Sequence, residues 1–184
     1  QGASLATKHL LSLGHRRVAL LSGPPVALES RLREDGFLRA IKEAGLSVEQ
    51  GGQINIFNFM LSEGYEAGHA LMRLPKLPTA VFCSAGDLTC LGLMAALRER
   101  GLRIPRDISV VGYDGLKFGE HLAPALTTVK QPLTKMAKTL AEHLCFRLLH
   151  PGEAEPAGIL FEPNLVIRQS SALPPSLQAG TPRD

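Results

Sequence analysis

The sequence predicts an α/β protein in which a parallel sheet carries helices on both of its faces. Short apolar segments alternate with amphipathic segments along the chain, and glycines such as Gly14, Gly45 and Gly101 end the amphipathic segments. A chain that alternates strands with helices builds a parallel sheet, because each helix carries it back to the edge where the last strand began. The 184 residues are 45% hydrophobic, which suffices for one good core or two small lobes.

The expected strands are short apolar segments bounded by glycine, proline or polar residues. They cover residues 18–22, 53–57, 79–84, 108–113 and 126–130. The expected helices carry apolar residues at intervals of three and four positions. They cover residues 4–13, 29–44, 62–74, 87–100 and 133–149.

The C-terminal region follows a different pattern. Residues 159–160 and 165–168 predict a final strand that is interrupted at Pro163. Because proline cannot donate to an interior ladder, this strand is expected at a sheet edge or with a bend. From Ser170 onward Pro, Gly, Ser and Gln dominate, and this composition predicts a disordered tail over residues 170–184.

Charge and cysteine usage argue against several classes of protein. The net charge is +3 and the basic residues are scattered, whereas a DNA-reading surface concentrates its charge on one face. We interpret the largest basic cluster, residues 15–17, as a solvated loop. The three cysteines form no CxxC and no Cys/His spacing, so we expect no metal or cofactor. Cys83 and Cys90 fit small core residues in a reducing compartment. With no signal peptide and no membrane-spanning run in the sequence, we expect a cytoplasmic protein without membrane contact.

Three segments of the chain resemble the lactose/galactose-repressor family of bacterial transcription regulators. They are IPR at 104–106, DISVVGYDG at 107–115 and PALTTVKQP at 124–132. The resemblance covers residues 2 to about 169 and corresponds to the effector-binding domain of that family. It implies a type I periplasmic-binding-protein-like fold with one complete lobe and two helices of a second lobe.

The resemblance also implies where the lobes divide. Residues 1–14 would be a helix of the first lobe, which is mostly absent, and residues 15–125 would be the C-terminal lobe. Residues 126–150 would be the crossover and a further helix of the first lobe, and residues 151–169 a return strand. The chain would start partway through the effector domain, without the N-terminal DNA-binding region.

Fold logic places the candidate ligand site at one edge of the sheet. In open α/β sheets, ligands bind beyond the carboxyl ends of the strands. Each of four such ends is followed by a chemically useful side chain: Arg33, Phe59, Asp87 and Asp114. A guanidinium, an aromatic face and carboxylates in one crevice suit a polyhydroxylated or heterocyclic small molecule.

The resemblance assigns roles to these residues, and each has a structural alternative. Arg33 would bind effector hydroxyls or a carboxylate, or else lie on the surface in the first turn of its helix. Phe59 would stack on the ligand, or fill the core between a loop and a helix. Asp114 would accept from effector hydroxyls, or bond the backbone of its own turn. Asp87 would contact the ligand, or cap helix 88–100. Gln131 lies at the lobe crossing, where it would touch the ligand or the hinge.

Two positions depart from the pattern of the family. Gly86 stands where many relatives have Asn, and Gly115 stands where a second carboxylate is common. The pocket is therefore expected to be wider or less polar than a typical hexose site, so the resemblance alone does not assign the sugar specificity of relatives to this chain.

Enzymatic functions are disfavoured by the motifs. Gly23-Pro24-Pro25 lacks the ending of a phosphate loop, and its prolines remove backbone donors. The chain has no GxSxG elbow, and an Asp87–Asp114 acid–base pair would have no nucleophile beside it.

The sequence predicts the effector-binding and dimerising domain of a transcription repressor, with a sugar, sugar acid or nucleoside-like effector. Helix 87–100 is apolar on more than one face, which suggests a homodimer contact. Operator DNA would be bound only through the absent N-terminal region. The alternative is a periplasmic-type sugar-binding protein of a transport system, which has the same fold.

Overall fold

A single six-stranded sheet organises the computed structural model, which describes residues 1–152 and 158–178. The strands are β1 (Val18–Ser22), β2 (Gln53–Asn55), β3 (Ala80–Cys83), β4 (Ser109–Asp114), β5 (Thr127–Lys130) and β6 (Asn164–Val166). Their order across the sheet is β2-β1-β3-β4-β5-β6. The first five strands are parallel and β6 pairs antiparallel with β5. The predicted fold class is confirmed.

Helices cover both faces of this sheet. They are α1 (Gly2–Ser12), α2 (Leu28–Glu43), α3 (Leu61–Leu71), α4 (Asp87–Glu99), α5 (Leu133–Leu149) and α6 (Pro175–Gln178). Leu20 of β1 joins the core that α1 and α2 form on one face, and Leu21 joins the core of α3 and α4 on the other. Because both faces are covered, β1 is buried at every residue. Its sequence is therefore continuously apolar up to Ser22 rather than alternating.

Helix α1 packs on the same sheet as the rest of the chain. Ala3, Ala6 and Leu10 are buried in one core with Phe37 of α2 and Val129 of β5. The small side chains at spacings of three and four residues let the helix lie close to the sheet. The prediction that residues 1–14 belong to another lobe is therefore wrong: α1 is part of the complete lobe.

The two apolar sides of α4 find their partners within this chain. One side packs on β3 and β4, and the other packs closely on α3. Glycines make the close approach possible, because a side chain at Gly64 would meet the Thr89 carbonyl and one at Gly92 would meet the Leu61 carbonyl. The apolar pattern that suggested a homodimer contact on this helix is thus explained by α3.

Helix α5 contacts little of the described chain. None of its residues is buried, and Leu140, Leu144 and Leu148 expose 71%, 57% and 72% of their surface. A helix with an apolar stripe normally covers that stripe with another element. Its assignment to a second lobe remains a prediction.

The chain after β6 is packed against the lobe as far as the structure describes it. Strand β6 lies at the sheet edge and begins directly after Pro163, as the proline indicated, while residues 159–160 form no strand. The buried hydroxyl of Ser170 donates to the Val110 carbonyl at 2.6 Å and accepts from the Thr127 N–H at 2.8 Å. The buried His15 ring contacts the Ala172 carbonyl at 2.8 Å.

The predicted disordered tail is therefore wrong for residues 170–178. Backbone and hydroxyl bonds to β4, β5 and the loop before β1 hold this segment, which ends in the short helix α6. Residues 153–157 and 179–184 lie outside the described residues, so the prediction stands untested for 179–184.

Replacing Ser170 by Ala should lower the free energy of unfolding by about 1–3 kcal/mol, because it leaves a buried carbonyl and a buried N–H without their partner. Urea denaturation of the two proteins measures the difference. Ser62→Ala, at an exposed position of α3, is the matched control and should change stability by less than about 0.5 kcal/mol. Equal stability of Ser170→Ala and the parent would contradict a packed C-terminal segment.

Candidate functional site

The carboxyl edge of the sheet brings together the residues that follow β1, β2, β3 and β4. Arg33 from α2, Phe59 from the loop after β2, Gly86 after β3 and Asp114 at the end of β4 line one cavity of about 170 Å³. The remaining lining residues are Glu29, Ala85 and Leu88. Ligand pockets usually measure about 300–1,000 Å³, so this cavity forms one wall of a site rather than an enclosed pocket.

Asp114 is held in an unusual backbone conformation at the centre of this edge. Its φ is +108°, and among the described residues other than glycine it alone has a positive φ. Its carboxylate accepts a hydrogen bond from the Gln131 side chain at 2.8 Å and lies 3.5 Å from the Arg33 guanidinium. Burial raises the pKa of Asp114, while the Arg33 charge and the Gln131 bond oppose that rise. Strain of this kind concentrates at functional sites.

Arg33 is fixed by three neighbours and is only 15% exposed at its side chain. It donates to the Ser84 carbonyl at 2.7 Å, pairs with Asp114 and lies 4.0 Å from the centre of the Tyr113 ring. A guanidinium over an aromatic ring is attracted by the ring's quadrupole. It lies in the second turn of α2, so the alternative of a surface arginine in the first turn is excluded. Tyr113, whose ring packs against the Arg33 guanidinium, was not among the residues predicted for the site.

Phe59 both packs on the core and lines the cavity. It is partly buried against the cluster that α3 and α4 form with the sheet. A side chain at Gly23 would meet the Phe59 ring and, at 2.5 Å, the Ser30 hydroxyl. Gly23 therefore leaves the space that the ring occupies. The two roles predicted for Phe59, contact with a ligand and packing in the core, are therefore compatible.

Asp87 lies behind the cavity rather than on its wall. It is the first residue of α4, is fully buried and makes no capping bond, because Gly86 is the N-cap residue. Its two carboxylate oxygens accept from the Thr128 hydroxyl and from the Leu116 N–H, each at 2.7 Å. Burial raises the pKa of Asp87 to about 6. The structure thus favours neither the cap nor a direct ligand contact, and Asp87 instead ties the loop after Asp114 to β5.

The two glycines that depart from the family pattern are both required by this geometry. Gly86 has a φ of +116°, and a side chain there would come within 2.6 Å of an Asp114 oxygen. Gly115 has a φ of +74°, and a side chain there would come within 2.6 Å of Lys130 Cα. A second carboxylate at 115 would need the end of β5 to move.

A larger cavity of about 730 Å³ lies at the opposite edge of the sheet. It is lined by the turns before β1, β2 and β3, and includes Arg16, Arg17, Glu49 and Lys76. The smaller cavity is the candidate ligand site, because it lies at the carboxyl ends of the strands and includes the strained Asp114.

Two kinds of feature are absent from the described part of the chain. Residues 1–152 and 158–178 contain no cluster of three or more His, Cys, Asp or Glu side chains that could hold a metal ion. In the same residues, no helix combines the length and the apolar character needed to cross a membrane.

Sheet order, crossing pattern and site position define a ligand-binding lobe of the type I periplasmic-binding-protein-like class. A sequence profile of the family described as periplasmic binding protein-like domain matches residues 7–171. The chain belongs to this family, in the form of the effector-binding domain found in Lac-repressor-type regulators.

Curated relatives carry the name HTH-type transcriptional repressor PurR. The protein from Glaesserella parasuis serovar 5 is 38% identical over 176 residues, which cover 92% of this chain and 51% of the relative. The protein from Pasteurella multocida is 36% identical over 170 residues, covering 92% of this chain and 50% of the relative. The chain thus spans about half the length of these relatives.

Solved structures of the same kind superpose closely. A LacI family transcriptional regulator from Enterococcus faecium with bound ribose has a TM-score of 0.84 and 32% identity, covering 94% of this chain and 62% of its own. A dimeric Lac repressor with an 11-residue C-terminal deletion has a TM-score of 0.84 and 31% identity, covering 94% of this chain and 61% of its own.

The raised pKa of Asp87 gives a signed pH prediction. Because the folded protein binds this proton with a pKa of about 6 instead of the ordinary 3.8, it holds the proton more tightly than the unfolded chain does. The free energy of unfolding should therefore fall as the pH rises from about 4 to about 6, by up to about 3 kcal/mol. Asp87→Asn should show a smaller decrease, because only the raised pKa of Asp114 then contributes. Urea denaturation at a series of pH values measures the difference.

Asp107→Asn is the control, because the pKa of Asp107 is shifted in the opposite direction from that of Asp87. Hydrogen bonds from Arg103 lower the pKa of Asp107 to about 2, so its contribution is present above pH 3.8 and is lost as the pH falls through 2. Identical pH profiles for the parent and Asp87→Asn between pH 4 and 6 would show that burial does not perturb Asp87.

Proposed function

We propose that this chain is the effector-sensing domain of a bacterial transcription repressor of the Lac-repressor type. The observation that carries the proposal is the strained, half-buried Asp114, held by Gln131 and facing Arg33 and Phe59 at the carboxyl edge of the sheet. A partly buried guanidinium and carboxylate beside an aromatic ring suit a small polar ring compound. The effector class is a sugar or a nucleoside-like molecule, and ribose is a reasonable first probe because a related regulator binds it.

Each site residue has a separate part in this proposal. Arg33 and Asp114 bond the effector, Phe59 packs against its ring, and Gln131 positions Asp114. Asp87 acts from behind by fixing the loop that follows Asp114. None of these contacts makes or breaks a covalent bond, so the proposed domain is a sensor and not an enzyme.

Signal transmission would follow from two lobes that share one ligand. The cavity is one wall of a site, and the exposed stripe of α5 is available for a second lobe. An effector that binds the closed arrangement better than the open one shifts the balance between them, with a coupling of about 1–3 kcal/mol. In a homodimer this shift would change the spacing of DNA-reading heads outside these 184 residues. Such a regulator acts in the cytoplasm.

The transport-type sugar-binding protein is the weaker candidate. It shares the fold, but the curated relatives named above are transcription repressors.

Ligand binding should depend on Arg33 and Asp114. We expect Arg33→Ala and Asp114→Ala each to weaken effector binding by about 10- to 100-fold, since a charge-assisted hydrogen bond contributes about 1.5–3 kcal/mol. Calorimetry on the complete gene product with ribose, other sugars, sugar acids and nucleosides provides the measurement. Arg31→Ala, an exposed arginine on the same helix, should bind like the parent. If Arg33→Ala and Asp114→Ala also bind like the parent, the site lies elsewhere.

DNA recognition should need more than these 184 residues. Their dispersed charge can neutralise few phosphates at once, so any binding should be weak and should vanish as salt rises. The complete gene product should bind a pseudo-palindromic operator as a dimer. Gel shifts with both proteins at near-physiological salt test this. Sequence-selective binding by residues 1–184 alone would refute the division of roles, and a gene product that binds effector but no DNA would favour the transport-type protein.

A further inference from the structure

Glu29 places a carboxylate on the rim of the candidate site. It lies in the first turn of α2, one helical turn before Arg33, and lines the same cavity as Arg33 and Asp114. The residue is exposed, and within the described part of the chain its side chain has no hydrogen-bond or ion-pair partner. No other role in the site accounts for it.

The charge of Glu29 is not balanced by the neighbouring arginine. The Arg33 guanidinium already bonds the Ser84 carbonyl, faces the Tyr113 ring and lies 3.5 Å from the Asp114 carboxylate. The other lining residues, Phe59, Ala85, Gly86 and Leu88, carry no charge. The residues that line this wall therefore carry one guanidinium and two carboxylates, a net formal charge of minus one.

A purely structural explanation exists and predicts something different. A glutamate in the first turn of a helix is stabilised by the positive end of the helix dipole. In that role Glu29 would affect the stability of α2, and its replacement would not change the preference among ligands of different charge. Selectivity among ligands of different charge therefore separates the two roles.

We propose that Glu29 is a specificity-determining residue and that the effector carries a protonated amine, as in an amino sugar or another hydroxylated amine. This inference rests on the proposed function, because it concerns the same crevice. A carboxylate forms a short, strong hydrogen bond with an ammonium group, and the face of Phe59 also attracts a cation. An anionic compound such as a sugar acid or a sugar phosphate meets an unbalanced negative charge and is rejected. The effector class is thus narrowed from a sugar or nucleoside-like molecule of any charge to one that carries a positive charge.

The test compares related hexoses of different charge: D-glucosamine has an ammonium group in place of the 2-hydroxyl of D-glucose, and D-glucuronate has a carboxylate in place of its CH2OH group. Calorimetry on the complete gene product uses D-glucosamine, D-glucose and D-glucuronate, followed by a thermal-shift panel of hydroxylated amines, neutral sugars, nucleosides and sugar acids at pH 7 and millimolar concentration. We expect amine-bearing compounds to bind at least about fivefold more tightly than their neutral counterparts. In Glu29→Gln this preference should fall below about twofold.

Asp35→Asn is the matched control. It removes one carboxylate from an exposed position of the same helix but does not line the cavity, so it should keep the preference of the parent. The melting temperature of Glu29→Gln is measured alongside. A lowered melting temperature with unchanged selectivity would assign Glu29 a structural role and overturn the proposal.

The failures of the two proposals can be told apart. Preferred binding of an anionic compound that still depends on Arg33 and Asp114 would overturn the role of Glu29 while supporting the effector site. An amine preference that survives Glu29→Gln would likewise overturn the role of Glu29. If no compound of the panel binds, both the site and its specificity are contradicted.

Discussion

Asp114 holds a backbone conformation that few residues other than glycine adopt, and the site is arranged around it. A positive φ at such a residue costs about 1–3 kcal/mol, so its neighbours must keep it in place. Gln131 does so through two bonds, since its N–H donates to the Asp114 carbonyl at 3.2 Å and its side chain donates to the carboxylate at 2.8 Å. Arg33 adds a charge 3.5 Å away. The direction of the carboxylate into the crevice follows from these constraints.

A second carboxylate behind the first makes this edge of the sheet electrostatically costly. Asp87 is fully buried and Asp114 is half-buried. Burial raises the pKa of both carboxyl groups, and the charge of Asp114 raises the pKa of Asp87 further. Neutral donors satisfy Asp87, namely the Thr128 hydroxyl and the Leu116 N–H. Such bonds become stronger in a region of low dielectric constant, but an unpaired group there is penalised heavily. The apolar cores on the two faces of the sheet must therefore offset the unfavourable free energy of burying these carboxylates.

Much of the fold could be predicted because buried parallel strands have continuous apolar sequences, as β1, β3 and β4 do. The site residues could be predicted because loops after neighbouring parallel strands share one edge. The lobe of α1 could not be predicted, since a helical pattern shows which face is apolar but not which element covers it. The ordered structure of residues 170–178 could not be predicted either. The serines whose hydroxyls bond to the strands are also typical of a disordered tail.

The roles of individual site residues also depend on contacts with residues that are distant in the sequence. Whether Asp87 caps a helix or lies buried depends on Gly112, where a side chain would meet its carboxylate, and on Thr128, which is 41 residues away. No local pattern contains that information. Glu29 was missed although a signal existed: it stands four residues before Arg33, and residues at that spacing share one face of a helix.

The covalent path from the site to the exposed surface is short. Gln131, which holds Asp114, is followed by Pro132 at the start of α5, and α5 carries the exposed leucine stripe. In the proposed site, a ligand that bonds the Asp114 carboxylate would share it with the Gln131 side chain, which already donates to one of its oxygen atoms. An effector in this proposed site would therefore contact a carboxylate bonded to a residue two positions before α5. Since an exposed apolar stripe of this kind is typical of an interaction surface, the proposed binding at Asp114 and the packing of α5 would be linked through two residues of backbone.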